Sequence, residues 1–283
     1  MSKGGDFMSK NTEASLRAKI IMGIILAIGA VIWVLPFVWM IISSVKSEIE
    51  IMQIPPRFLP KEIKWDNFIE LFRAFNFISY LKNTLIVVGF SFVGMFFNAM
   101  AGFGFAKYKF KGKEVLFMLV LATMMIPSQV TMIPVYLIMN SIRLTNTMLG
   151  VTLPAIVGAY PIFLFRQFMS TISNELLEAA RLDGASEWYI FRKIVLPVSK
   201  PILAVQGITT FIAGWNSFLW PLIMANDEKY YTLSVGLQML KGQYKTNYGL
   251  QMAGSAFMVM PIIIVFIFLQ KYIMQGYNVS GNK

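Results

Sequence analysis

The residues that could do chemistry together concentrate in one stretch, ELLEAARLDGASEWYIFRKIVLPVSKP, from Glu175 to Pro201. Glu175, Glu178, Asp183 and Glu187 stand there among Arg181, Arg192, Lys193 and Lys200. Ser173 and Asn174 are good helix-capping types, and Glu175 suits the positive end of a helix. ELLEAARLD is rich in helix formers. Gly184 supplies a stop, Ser186 can cap a second helix through WYIFRKIVL, and Pro197 and Pro201 end it. The pattern predicts a helix–Gly–helix elbow. Its corner, Ala179, Ala180, Gly184 and Ala185, is nearly bare of side chains and could enter a groove in another protein. On residue types alone an ordinary amphipathic loop fits equally well.

Much other chemistry is excluded. The chain has no Cys and no His, so disulfides, thiol nucleophiles and imidazole proton shuttles are out of reach. It holds no G-x-x-x-x-G-K-[ST]; the Gly112-Lys113 pair is preceded by Lys107 where the first glycine belongs. No phosphate-cradling loop of that kind is present, so no catalytic residue, metal or cofactor is expected on this chain.

The elements that position the elbow are greasy. Of 283 residues, 57% are hydrophobic and 14% charged, with a mean hydropathy of +0.63. A soluble domain carries roughly 25% charged residues. About 20 apolar residues cross a bilayer as a helix. Runs free of Asp, Glu, Lys and Arg cover Ile20–Ser44, Asn83–Ala106, Val115–Ile142, Leu144–Phe165, Pro201–Asn226 and Thr246–Gln270. The expected fold is therefore an all-α membrane protein of six transmembrane helices, with the elbow between spans four and five. The first run is too long for a cleaved signal and is expected to stay as a span.

The net charge of +11 does not form one stripe, so nucleic acid is not expected as a partner. It follows loop orientation instead. Lys3, Lys10, Arg17 and Lys19 precede the first span, Lys107, Lys109, Lys111 and Lys113 follow the second, and the elbow adds more. Both termini and the elbow are thus expected in the cytoplasm. No Asp or Glu lies in a predicted span, which argues against a proton- or sodium-coupled carrier.

Further features are local. In IKWDNFIELFRAF, Trp65, Phe68, Ile69, Phe72 and Phe75 recur at helical spacing. This amphipathic helix would lie on the bilayer surface or pack on the bundle. Pro36, Pro127, Pro134, Pro154, Pro161, Pro221 and Pro261 fall inside predicted spans and would bend them. Ala99, Ala101, Gly102, Gly104 and Ala106 would let another helix approach closely.

The elbow also carries a complete E-A-A-x3-G-x9-I-x-L-P, from Glu178-Ala179-Ala180 through Gly184 to Ile194, Leu196 and Pro197. This resembles the EAA loop of permease subunits of bacterial ABC importers. AGFGFAKYKFKGKEVLF, WNSFLWPLI, YTLSVGL and FLQKYIMQG are similar to the carbohydrate-importing branch, of the maltose-permease second-subunit type. The resemblance covers nearly the whole chain from about residue 17, but the ending YNVSGNK departs from the family's.

The resemblance implies an ATP-driven, binding-protein-dependent sugar importer in the bacterial cytoplasmic membrane. It implies a homologous second permease subunit, two ATPase subunits that hold ATP and Mg, and an extracytoplasmic sugar-binding protein, with membrane lipid around them. The organisation expected is a tail (1–19), a first span (20–44), an outer loop (45–82), a permease domain (83–275) with the coupling loop at 173–201, and a tail (276–283). The coupling residues would be Glu178, Ala179, Ala180, Asp183, Gly184, Ala185, Ile194, Leu196 and Pro197. Lys241, Gln243, Tyr244 and Tyr248 would reach the binding protein. Ser128, Gln129, Thr131, Trp215, Asn216 and Ser217 could line a sugar pathway, or serve interhelical bonding and an aromatic belt. Importers of polyamines or amino acids share the elbow and stay as alternatives; a self-sufficient carrier or a membrane scaffold are others.

Overall fold

The computed structural model describes residues 5–73, 76–243 and 247–280. Among them every regular element is helical. The chain divides into two units, Met1–Glu70 with Asn247–Ala256, and Leu71–Thr246 with Phe257–Lys283.

In the first unit, helix α1 (Gly5–Ser43) is 39 residues long. At 1.5 Å per residue it measures about 58 Å, nearly twice a hydrocarbon core of about 30 Å. It takes in most of the stretch expected as the N-terminal tail. Its side chains from Leu16 to Leu35 are largely exposed, as lipid-facing groups are. The chain then folds back through α2 (Glu48–Ile51). Lys46 is buried, donates to the Arg57 carbonyl at 2.6 Å and sits 4.3 Å over the Trp39 ring. Burial holds its ammonium below the ordinary lysine pKa, with Glu50 pulling the other way. The Asn67 amide donates to the carbonyls of Ser44 and Lys46, both at 2.9 Å. Gly249 must be small there, because a Cβ would lie 2.6 Å from Asn67 Oδ1.

The predicted amphipathic helix is α3 (Asp66–Arg73). Its expected apolar face is not its buried face. Trp65, Ile69 and Phe72 are exposed, while Leu71, outside that stripe, is fully buried. Phe75 lies outside the described residues.

The second unit is organised around α4 (Phe77–Lys107). It packs on α8 (Ala159–Ser170) and α12 (Lys200–Trp215). Part of the predicted small-residue patch makes this approach possible. A Cβ on Gly102 would fall 2.4 Å from the Phe165 Cβ, whereas one on Gly104 would meet nothing. Gly94, outside the patch, is equally tight, 2.1 Å from the Ile156 carbonyl oxygen.

Among the described residues five helices are long and apolar enough to cross a membrane, and a bent pair brings the number to six when it is counted as one span. That pair covers the third expected span, Val115–Ile142, and the bend expected at Pro127 is there a full break. Helices α5 (Lys113–Met124) and α6 (Ser128–Ser141) meet at 105°. Pro127 stands at the break with extended ψ of 132°; it has no N–H to continue a helix and disfavours helical geometry before it. At 12 and 14 residues the halves measure about 18 and 21 Å, so neither spans the core alone.

The other spans carry their own breaks. The fourth opens with α7 (Met148–Thr152) and a 3-10 turn at Leu153–Ala155 before α8. The Asn98 side chain bridges that gap, accepting from Gly158 N at 3.2 Å and donating to the Ile156 carbonyl at 3.4 Å. The elbow follows as α9 (Asn174–Leu182), α10 (Glu187–Ile190), a π turn at Phe191–Val195 and α11 (Leu196–Val198). After α12 come α13 (Leu219–Met224) and α14 (Leu233–Gln243), and α15 (Tyr248–Ser280) runs on through the start of the expected C-terminal tail.

Candidate coupling elbow and cavity

The elbow's corner is a Schellman turn. The amide of Gly184 donates to the Arg181 carbonyl and that of Ala185 to the Ala180 carbonyl, both at 3.0 Å. These are the two bonds that close a helix through a left-handed residue. Gly184 takes φ +81°, and open space surrounds where its Cβ would be. The second helix starts as its sequence predicts, with the Ser186 hydroxyl accepting from Tyr189 N at 3.2 Å. It is not one continuous α-helix, however. The π turn widens it directly before Pro197, whose ring excludes the ordinary i−4 carbonyl.

Four buried side chains fix the elbow, and none belonged to the expected set. Leu177, Ile190, Phe191 and Val195 join Ala99, Phe103, Phe165, Met169 and Ile172 in one apolar cluster. Ala180, Ala185, Ile194 and Leu196 pack half-buried against its edge. Pro197 is exposed, so it shapes the helix without anchoring it. Glu178, Ala179, Asp183 and Gly184 are exposed at the corner. Beside them Leu182 is 89% exposed, an apolar tip facing outward.

Polar groups brace the two arms. Arg181 grips Glu187 with two bonds, Nε to Oε1 at 2.7 Å and Nη2 to Oε2 at 3.2 Å. The Tyr108 hydroxyl donates to the same Oε2. The Arg181 hydrogen bonds, then the Tyr108 bond, hold the Glu187 carboxyl below its ordinary range. Burial first, then Glu187, pushes the Tyr108 phenol up to about 12. Lys107 ties the base of the first arm. Its ammonium donates to the carbonyls of Ser170 and Ile172 and, at 2.9 Å, to Asn174 Oδ1. The ends of α4, α8 and α9 thus meet on one amine. In the sequence Lys107 and Tyr108 carried only a loop-charge signal; the pairing of Arg181 with Glu187 across the glycine was legible in charge and spacing.

A cavity of about 530 Å³ lies between α4, α6, α8 and α12. Of the predicted pathway residues it gathers Ser128, Thr131 and Ser217. Gln129 lines a separate hollow with Tyr136 and Ile223, and Asn216 is exposed elsewhere. Trp215 is turned into the core: it is 3% exposed, stacks on Phe211 at 5.7 Å and donates to the Met258 carbonyl at 2.9 Å. The rings that reach the cavity are Tyr160 and Trp220, the latter with its indole N–H on the Gly150 carbonyl at 3.2 Å. Ser91, Asn98, Tyr160, Gln206, Thr209 and Thr210 complete the polar wall. Gln206 is 2% exposed, and its Nε2 has no partner. An orphaned buried donor costs about 1–3 kcal/mol.

Of the predicted binding-protein contacts, Tyr244 lies outside the described residues. Lys241 and Gln243 fall at the end of α14, and Tyr248 opens α15.

The model of the family described as "Binding-protein-dependent transport system inner membrane component" matches residues 94–279. This chain belongs to that family. Among relatives of this transport family, the arabinooligosaccharides transport system permease protein AraQ of Halalkalibacterium halodurans is 38% identical, over 90% of this chain and 92% of its own. The lactose transport system permease protein LacG of Rhizobium radiobacter is 30% identical, over 89% and 92%. In fold, the chain is similar to a crystal structure of a bacterial ABC transporter involved in the import of the acidic polysaccharide alginate. The TM-score is 0.82 at 24% identity, covering 92% of this chain and 97% of that one. The elbow, and the cavity apart from Val87 and Ser91, lie within the span that the transport-family model matches.

Proposed function

We propose that this chain is one of two homologous membrane-spanning subunits of an ATP-driven oligosaccharide importer, and that the elbow at 173–201 is its coupling element. The importer takes its sugar from an extracytoplasmic binding protein. ATP and Mg are bound by two separate ATPase subunits, and the elbow and both termini face the cytoplasm. The observation that carries the reading is the elbow itself. A bare corner with an outward Leu182 is held by a buried apolar base and braced between its arms. Such a part passes a displacement to the bundle without absorbing it. Relatives named for arabinooligosaccharide and lactose transport support sugar as the cargo.

The test separates strain from docking at Gly184. Asparagine tolerates the left-handed conformation and aspartate less so. Gly184→Asp inserts in the membrane but abolishes sugar uptake, and Gly184→Asn also loses uptake if the corner must be bare to dock. Normal uptake in both variants, with the ATPase still co-purifying, would remove the elbow from coupling.

A further inference from the structure

We propose that the loop from Lys46 to Lys64 is seated in the membrane, its apolar tip at the acyl–headgroup boundary of the leaflet at the C-terminal end of α1, and that its partner is phospholipid. The inference needs only that α1 is a span; it holds whether or not the chain serves an importer.

The loop is closed and inside out. At its base the Lys64 amide donates to the Val45 carbonyl at 2.9 Å, and the Asn67 side chain donates to the carbonyls of Ser44 and Lys46. The Glu50 carboxylate turns back to accept from the Lys61 amide at 2.9 Å. Lys46 is 1% exposed, with its ammonium on the Arg57 carbonyl. The apolar side chains point the other way. Ile54 is 92% exposed, Ile49 84%, Leu59 69% and Met52 60%. A loop in water shows the reverse preference, since lysine is almost never fully buried there. Apolar side chains so concentrated on one loop mark a contact surface.

The depth of the tip follows from α1. The uncharged run Ile20–Ser44 has its middle at Ile32, and Trp39 lies seven residues beyond it. That is about 10 Å along the helix, and half of a hydrocarbon core is about 15 Å. The Phe58 ring packs 5.9 Å from the Trp39 ring. The stretch around Phe58 is therefore held at the edge of the core and not above the headgroups. Irregular backbone is costly at that depth because lipid cannot satisfy its N–H groups. Pro55, Pro56 and Pro60 stand there and have no N–H to satisfy.

Continuity favours lipid over a protein partner. Phe37 and Ile41 on α1, each 46% exposed, carry the lipid-facing surface of that helix up to the loop. Phe58 packs on α1 itself, so the apolar tip prolongs that surface. Of the loop's exposed charges, Arg57, Lys61 and Lys64 have long stems that can stay in apolar surroundings while their heads reach phosphate.

The measurement is nitroxide accessibility on the full-length chain, purified with the subunits that assemble with it and placed in phospholipid nanodiscs. The chain has no Cys, so the unsubstituted chain prepared in the same way gives the background. Leu59→Cys and Ile54→Cys carry the label. Leu26→Cys on α1, six residues before Ile32 and 68% exposed, is the lipid reference. Collisions with oxygen, which concentrates in lipid, are compared with those of a water-soluble nickel chelate. Loss of chelate collisions with oxygen collisions retained, as at Leu26, is expected at Leu59, the neighbour of Phe58. Both labelled side chains are exposed, so the label displaces no packing, and Ile54 decides if Leu59→Cys fails to assemble. Chelate collisions outweighing oxygen would place the loop in water and overturn the proposal. Shielding from both reagents would show that protein covers the loop, and would overturn it equally.

Discussion

The elbow and the cavity lie in one compact unit and are built on opposite principles. The elbow pairs the polar groups at its base and between its arms, and leaves the buried Ser199 hydroxyl near its end without a partner. Glu187 takes three hydrogen bonds, Lys107 gives three, and an apolar cluster closes beneath them. The cavity wall is made of interrupted helices, at Pro127, at 156–158 and at 216–218, and it leaves Gln206 unsatisfied. Satisfied, densely packed parts move as bodies, whereas broken helices can rearrange around a guest. The contrast is that between a part that transmits motion and one that receives a solute.

The comparison is broken most severely from the elbow's base. Phe191→Ala should cost about 3–5 kcal/mol of local stability, as large-to-small core changes do. Uptake should vanish; unchanged uptake and melting temperature would show that the base is not a rigid anchor. Lys107→Met comes next. It frees two carbonyls and Asn174, and should cost about 1–2 kcal/mol after allowance for its partial exposure. Uptake should fall several-fold, with protection of the α9 amides lost in hydrogen exchange.

The Arg181–Glu187 pair sharpens the picture on a smaller scale. Both side chains are more than a third exposed, so a double-mutant cycle should return about 0.2–1 kcal/mol. The sign of its pH dependence follows from Glu187. Its folded pKa lies below the ordinary 4.5, so the pairing contributes fully above that value and is lost as pH falls through the depressed one. The coupling energy should therefore be the same at pH 7 and at pH 5.5. The smallest effect on transport is expected from Trp215→Phe, which removes one bond to the Met258 carbonyl, worth about 1 kcal/mol of stability. It should lower the melting temperature slightly and leave uptake unchanged; a changed concentration dependence of uptake would return Trp215 to the pathway.

How legible these parts were in the sequence depends on the range of the forces that build them. The elbow's turn is local, so Gly184 and Ser186 were readable from neighbouring residues. Its anchors were not, because Leu177, Ile190, Phe191 and Val195 become core only when α4, some seventy residues earlier, packs with α8 over them. The six apolar stretches were plain from hydropathy. The break in the third was signalled by Pro127, but hydropathy cannot see a 105° change of direction. Trp215 and Trp220 look alike in WNSFLWPLI; only the local path of the chain from α12 to α13 turns one ring inward and the other to the cavity. Gln206 was passed over because a lone amide in an apolar run carries no pattern.

The bend between α5 and α6 also bears on how the protein is made. An insertion machinery sorts nascent segments by whether each is greasy and long enough to stay in lipid unaided. Here two half-length segments come off the ribosome in succession, and each alone is too short to pass. As one uncharged run, Val115–Ile142 is long enough to enter lipid together. The bend between its halves is then set by packing, when Val151 and Met224, made after it, join Val87 around Met139.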